Sequence, residues 1–351
     1  MSVAGRAIRA ADHLLGARLL AAQKRRQAGV IVLYHRVSTG PDAAYPPLHP
    51  AQFQAHCEIL KRSFSILPLG EMVERHRRGL PLGGCCAITF DDGYGDFLEH
   101  AHPILQRMSL PATHFLVLQS VLEGRPNWNW RANRLAQAAH GRRDVPHSFE
   151  VLGRLSGLEM VGHLGRWEAA RRNDWLQEAE DALSQNHRLA PEPRMLRAPD
   201  LAQCDASLIS WGSHTVSHAM LGWCEPAALR HELADSRLEL GRITGRDVDF
   251  LSYPNSSFSQ AAIAEARSAG YSAALAVGQS EVSWTSPLMA LPRFDIGWMD
   301  ASRLRLEVCG AEAARSALLG RRWVMKWLVA KSRRKGASRG LGGHKARRSH
   351  E

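Results

Sequence analysis

The sequence predicts an α/β fold, a distorted (β/α) barrel of about seven parallel strands carrying a helical insertion and basic terminal extensions. Three observations lead there. Short apolar, β-branched runs alternate with helical patterns, which implies a parallel sheet. About seven such units fit into roughly 280 residues, a number that favours closure into a barrel. Polar and titratable residues follow several of the runs directly, where a barrel of this kind gathers its site.

The strands are expected at GVIVLYHRV (29–37), the strand-like FSILPL (64–69), Cys85–Phe90, THFLVL (113–118), LISW (208–211), VDFLSY (248–253), SAALAV (272–277) and LPRFDI (291–296). Runs without polar alternation suit strands buried on both faces. Helical patterns occupy 51–62, 70–78, 226–243 and 260–269, with Gly and Pro punctuating the path between elements. Residues 130–190 break the alternation, being polar and helix-like without a clear strand, and they predict an insertion at about 125–207 over one rim of the barrel. The barrel domain is placed at 27–310.

Charge is unevenly spread. The formal +11 resolves into +5 over residues 1–26 and +10 over residues 321–351, which leaves residues 27–320 at −4. A mildly acidic body between two basic ends argues against nucleic acid as the partner. In residues 1–26, Ile8, Ala11, Leu15, Leu19 and Ala22 recur at helical spacing among Arg6, Arg9, Arg18, Lys24, Arg25 and Arg26. That pattern suits an amphipathic helix lying on an anionic membrane surface, or one capping the barrel floor. The tail 311–351 is rich in Lys, Arg, Gly and Ser at its end, a composition that predicts disorder there. With no run of roughly 20 apolar residues and no signal-peptide pattern, the expected location is cytoplasmic, peripheral at the inner membrane face. The six cysteines show neither a disulfide-framework spacing nor a CxxC pair and read as reduced core residues.

The chemistry is concentrated in TFDDGY (89–94) and SHTVSH (213–218). Adjacent carboxylates at Asp91 and Asp92, leaving an apolar strand, repel one another and lose hydration unless a cation or a specific role compensates. His214 and His218 are four apart, so on a helix both imidazoles would project from one face. A carboxylate and two imidazoles are a donor set for one ion with positions left open. His35 lies near the end of its own strand. Trp128, Trp130 and Trp223 are candidates for stacking on sugar rings, although packing is the commoner use of such residues. His49, His56, His100, His102 and His114 have no partner pattern.

TFDDGY followed by SHTVSH resembles the first two signature motifs of the polysaccharide deacetylases, the NodB homology domain. LYHRV before the Asp pair, HPILQRMSLPATHFLV after it, ELADSRLEL, FLSYP, an AGY-containing helix end and LPRF follow in that family's order. The similarity spans about residues 29–296. It implies metal-assisted N-deacetylation of a sugar, with Asp92, His214 and His218 holding one divalent ion, Zn2+ foremost and Ni2+, Co2+, Fe2+ or Mn2+ as alternatives. It implies Asp91 as general base and Arg293 as the cation that keeps it ionised. It also implies His35 as the acid that protonates the leaving nitrogen, as in the family variant whose first strand carries a YHRV-like segment. Tyr253, Pro254 and Asn255 match the oxyanion segment, but Asn255, Ser256 and Ser257 replace its usual aromatic-Gly continuation. The substrate this implies is an N-acetylated saccharide, lipid-linked if the basic termini meet a membrane, in glycan, exopolysaccharide or lipopolysaccharide synthesis. The alternatives are another amide, such as an N-formyl sugar or a cyclic imide, and a non-catalytic carbohydrate-binding relative.

Overall fold

A computed structural model describes residues 28–309, apart from residue 143 and residues 186–188. The expected helix at 1–26 and the basic tail at 311–351 lie outside the described residues. Eight strands form in chain order: β1 (Val30–Tyr34), β2 (Ser65–Ile66), β3 (Cys85–Phe90), β4 (Ala112–Leu116), β5 (Ile209–Ser213), β6 (Phe250–Ser252), β7 (Ala273–Val277) and β8 (Leu291–Asp295). All their pairings are parallel, and β1 joins both β8 and β3, so β1, β8, β7, β6, β5, β4 and β3 close a seven-stranded barrel. The run at 64–69 contributes less than expected. Its two-residue β2 pairs with Cys85 and Cys86 at the start of β3, below the point where β4 begins to pair at Ile88. Pro68 then turns the chain into helix Leu69–Arg77.

The strands bury residues on both faces, which is why they read as unbroken apolar runs. Outward-facing Val30, Val32 and Tyr34 pack with Phe53, Cys57 and Leu60 of helix Pro50–Ser63 in the outer core. Tyr34 meets Phe53 edge-on at 5.0 Å and Phe90 at 5.3 Å. Inward-facing Ile31, Ala87, Phe115, Leu275 and Leu291 form a separate core that Leu69, Met72 and Val73 close from below. Each such fully buried side chain contributes about 1.5–3 kcal/mol. The apolar lower barrel leaves the polar inward positions to the upper rim.

The long connection between β4 and β5 holds helices Trp128–Ala139, Glu150–Arg154, Gly157–Leu164 and Ala169–Ser184. They share a second core, in which Trp128, Leu135, Leu152, Met160, Leu164, Leu176 and Leu183 enclose Met220 from the chain beyond β5. This is the helical insertion expected at about 125–207. The helix expected at 226–243 forms as Pro226–Thr244 with a π-turn at His231–Asp235. Ser236 Oγ donates to the Glu232 and Leu233 carbonyls within that turn, a local competitor of the regular ladder.

Candidate metal and catalytic centre

Parallel strands deliver their C-terminal ends to one rim. There β1 leads into His35, β3 into Asp91 and Asp92, and β5 into His214; β6 ends at Ser252, and β8 carries Arg293. Asp91 is 2% exposed and lies in a bidentate grip, with Arg293 Nη1 donating to Oδ1 at 2.9 Å and Nη2 to Oδ2 at 2.6 Å. Ser252 Oγ accepts from Arg293 Nη2 at 2.7 Å and donates to Asp91 Oδ2 at 3.0 Å. Thr89 Oγ1 accepts from Arg293 Nη1 at 3.2 Å, and the Phe115 ring lies under the guanidinium at 5.6 Å. Burial alone would raise the Asp91 carboxyl, but the Arg293 guanidinium outweighs it and holds the group well below the usual carboxylate range.

Asp92 behaves oppositely. Burial pushes its carboxyl above the ordinary value, and the hydrogen bond from Asn127 offsets that only in part. Adjacent carboxylates driven apart in this way take different roles. The division is geometric: Asp92 has φ 74°, a left-handed conformation costing about 1–2 kcal/mol, so its side chain turns away from Asp91 and Arg293. It faces the two histidines instead, with Oδ1 3.4 Å from His218 Nε2 and 3.7 Å from His214 Nε2. One ligand atom from each of Asp92, His214 and His218 lies within 4.8 Å of the others, and all three residues are buried.

The histidine segment differs from expectation. Residues 214–218 form no helix; Thr215 and His218 have φ 69° and 59°, and the loop folds back so that the imidazole centroids stand 4.9 Å apart at 72°. Spacing of four therefore serves a loop here and not a helix face. Ser213 Oγ accepts from Thr215 N, and Glu232, in the π-turn, accepts from Ser217 N and Oγ at 2.9 and 2.6 Å, pinning the loop from below. His214 Nδ1 lies 2.7 Å from the Ser252 carbonyl, so Nδ1 carries the proton and Nε2 presents its lone pair. Burial keeps the His218 ring neutral, with its pKa well below the ordinary value. Neutral imidazoles plus one carboxylate fit a zinc-like ion.

The remaining expected residues divide. His35 is half-buried, 5.2 Å from the Tyr45 ring, and its charge acts on both Asp91 and Asp92. Tyr253 is occupied elsewhere: its N–H donates to the Leu275 carbonyl, its hydroxyl to Met289 O, and its ring stacks on Phe258 at 4.5 Å. Both donors of Tyr253 are thus engaged in tying the end of β6 to β7 and the turn before β8. Pro254 is buried and has no N–H to give. Asn255 is exposed at φ 50°, followed by Ser256 at φ 54°. Trp128 and Trp130 are packing residues, whereas Trp223 is 45% exposed beneath the Arg166 guanidinium. His49 caps helix Pro50–Ser63, and His56 lies against Tyr34.

Several site residues have no role that the sequence assigns, although most stand inside the matching segments. His114 Nε2 accepts from Gly93 N at 3.1 Å and so braces the DDG turn, with burial pushing its pKa down to about 3. Ser252, Thr89 and Glu232 belong with it. Asn127, from the insertion, donates to Asp92 Oδ1 at 3.0 Å.

Comparison with known proteins agrees with this geometry. The family model described as polysaccharide deacetylase matches residues 81–274. YxkH of Bacillus subtilis (strain 168), which bears a polysaccharide deacetylase name, is 28% identical over 130 residues, 36% of this chain. The match spans 44% of that relative's length. Among solved structures, the Streptococcus pyogenes deacetylase PplD in complex with acetate aligns with TM-score 0.55 at 17% identity, covering 79% of this chain and 96% of that one. IcaB from Ammonifex degensii aligns with TM-score 0.53 at 15% identity, covering 80% and 95%. At such identities the structural likeness carries the barrel fold. With the motif order and the matched span of more than half its length, the chain belongs to the polysaccharide deacetylase family.

Proposed function

We propose that this protein is a divalent-metal-dependent N-deacetylase that hydrolyses the acetamide of an N-acetylated sugar. The observation that carries the reading is the division of labour between adjacent carboxylates. Asp91 is held ionised by Arg293, and Asp92 converges with His214 and His218 on one point. Asp92, His214 and His218 would hold the ion, Zn2+ being the best match to the donors, which when bound lowers the pKa of water and polarises the acyl carbonyl. Asp91 accepts the proton of the attacking water. Arg293 and Ser252 keep its carboxylate oriented for that transfer. His35 gives a proton to the departing amine nitrogen, without which an amide leaves poorly. Asn255, beyond the end of β6, offers its backbone N–H to the developing oxyanion.

The deciding experiment joins metal analysis to amine release from N-acetylglucosamine-containing acceptors. One bound ion with turnover in the wild type, beside an Asp91→Asn variant that folds, keeps its metal and is at least 10²-fold slower, is the expected result. Full turnover in Asp91→Asn removes Asp91 as base, and a metal-free active protein removes the whole reading. The substrate we favour is a lipid-linked saccharide reached from the cytoplasmic face, on the strength of the basic segments 1–26 and 321–351. Sedimentation with anionic vesicles at low salt tests it; equal partition after removal of both segments refutes it.

A further inference from the structure

The insertion between β4 and β5 reaches the proposed metal cradle through two consecutive residues. Asn127 Nδ2 donates to Asp92 Oδ1 at 3.0 Å, the oxygen that also faces His218 Nε2 at 3.4 Å and His214 Nε2 at 3.7 Å. Trp128 Nε1 donates to the His218 carbonyl at 2.9 Å. Both residues are buried, at 6% and 3% exposure, so water does not compete for these bonds.

The two contacts fall on the two ligands with strained backbones, Asp92 at φ 74° and His218 at φ 59°. Asp and His tolerate the left-handed region better than most residues, but it is still a minority conformation that neighbouring contacts help to hold. Asn127 and Trp128 are themselves held. The Asn127 side-chain carbonyl caps helix Trp128–Ala139, accepting from Asn129 N at 3.0 Å and Trp130 N at 3.2 Å, which obliges its amide to point at Asp92. The Arg172 guanidinium covers the Trp128 ring at 4.3 Å from helix Ala169–Ser184.

We propose that Asn127 and Trp128 are positioning residues of the metal site, so that the insertion sets how tightly the ion is held. The proposal rests on the metal reading above. Partners that orient a ligand from behind typically change metal affinity 10–100-fold when removed. An Asp at 127 would cap equally well but set a like charge against Asp92; Asn supplies the cap and the donor together.

The test uses the full-length, metal-free protein titrated with Co2+ and followed by its visible absorption, with Zn2+ affinity measured by chelator competition. Asn127→Ser keeps a capping oxygen and removes the donor to Asp92. Trp128→Phe keeps a ring under Arg172 and removes the donor to His218. Each variant is expected to bind about 10-fold or more weakly with a changed Co2+ spectrum, Asn127→Ser with little change in the melting temperature of the metal-free protein and Trp128→Phe with a fall from lost packing that does not account for the weaker binding. Wild-type affinity and spectrum in both variants overturn the proposal, as does a lowered metal-free melting temperature with unchanged affinity, which makes the pair purely structural. Absence of binding by the wild type itself fails the metal reading, and this inference with it.

Discussion

Replacing Arg293 with Met preserves side-chain length and removes the guanidinium from a buried carboxylate. Arg293 is 1% exposed and Asp91 2%. The lost bonds run to Asp91 Oδ1 and Oδ2, to Ser252 Oγ and to Thr89 Oγ1. Removing one partner of a buried pair strands the other charge, at a cost of about 3–5 kcal/mol, a large fraction of the roughly 5–15 kcal/mol that stabilises a domain. The loss depends on pH with a definite sign. Wild-type Asp91 is depressed below its unfolded value of about 3.9, so its contribution is full above that pH and fades as pH falls through the folded value. In Arg293→Met, burial loses its main opponent and raises the carboxyl, so the penalty of the stranded charge appears as pH rises through that raised value. The stability gap between wild type and variant should therefore widen from about pH 4 toward neutrality. Urea unfolding followed by circular dichroism, with chelator present across that range, measures it. Arg293→Lys, which keeps the charge but not the fork, should fall between the two. A gap below about 1 kcal/mol that stays flat with pH would refute the reasoning.

His35→Ala should lower kcat on the order of 10²-fold while leaving metal content intact; an unchanged rate assigns the proton transfer to another group. Gly212→Ala would set a Cβ 2.4 Å from the Phe115 ring, which has no free direction to yield in. Overpacking of that kind costs about 1–3 kcal/mol, and because Phe115 underlies Arg293 the activity should fall as well; a variant as stable as wild type in urea contradicts this packing. His56, buried against Tyr34, has its pKa pushed down to about 4. As pH falls below about 6.5 the unfolded chain takes up that proton first, so stability is full above 6.5 and declines toward 4 by up to about 1.4 kcal/mol per unit. His56→Gln should flatten this limb between pH 7 and 5, and an unaltered slope assigns it to other groups.

The barrel was legible because strands buried on both faces read as near-continuous apolar runs, as Val30–Tyr34 does and Cys85–Phe90 does apart from Thr89. The run at 64–69 misled because an apolar stretch does not state its length as a strand, and Pro68 ends this one early. SHTVSH left its shape open, since a spacing of four carries no backbone sign and Thr215 and His218 take the left-handed one. Ser252, His114 and Glu232 were illegible for a different reason: each is an ordinary residue whose partner stands far along the chain. Ser252 meets Asp91 across 161 positions.

The sequence by itself determined the donor types, their order, and the strands that carry them, because apolar runs and titratable residues are local properties of the chain. Which carboxylate is paired and which is turned toward the imidazoles was decided only in three dimensions. Arg293, Asn127 and the left-handed φ of Asp92 meet there through contacts that no local pattern encodes. Electrostatics between buried groups depends on separation and burial, and both arise only once the barrel has closed.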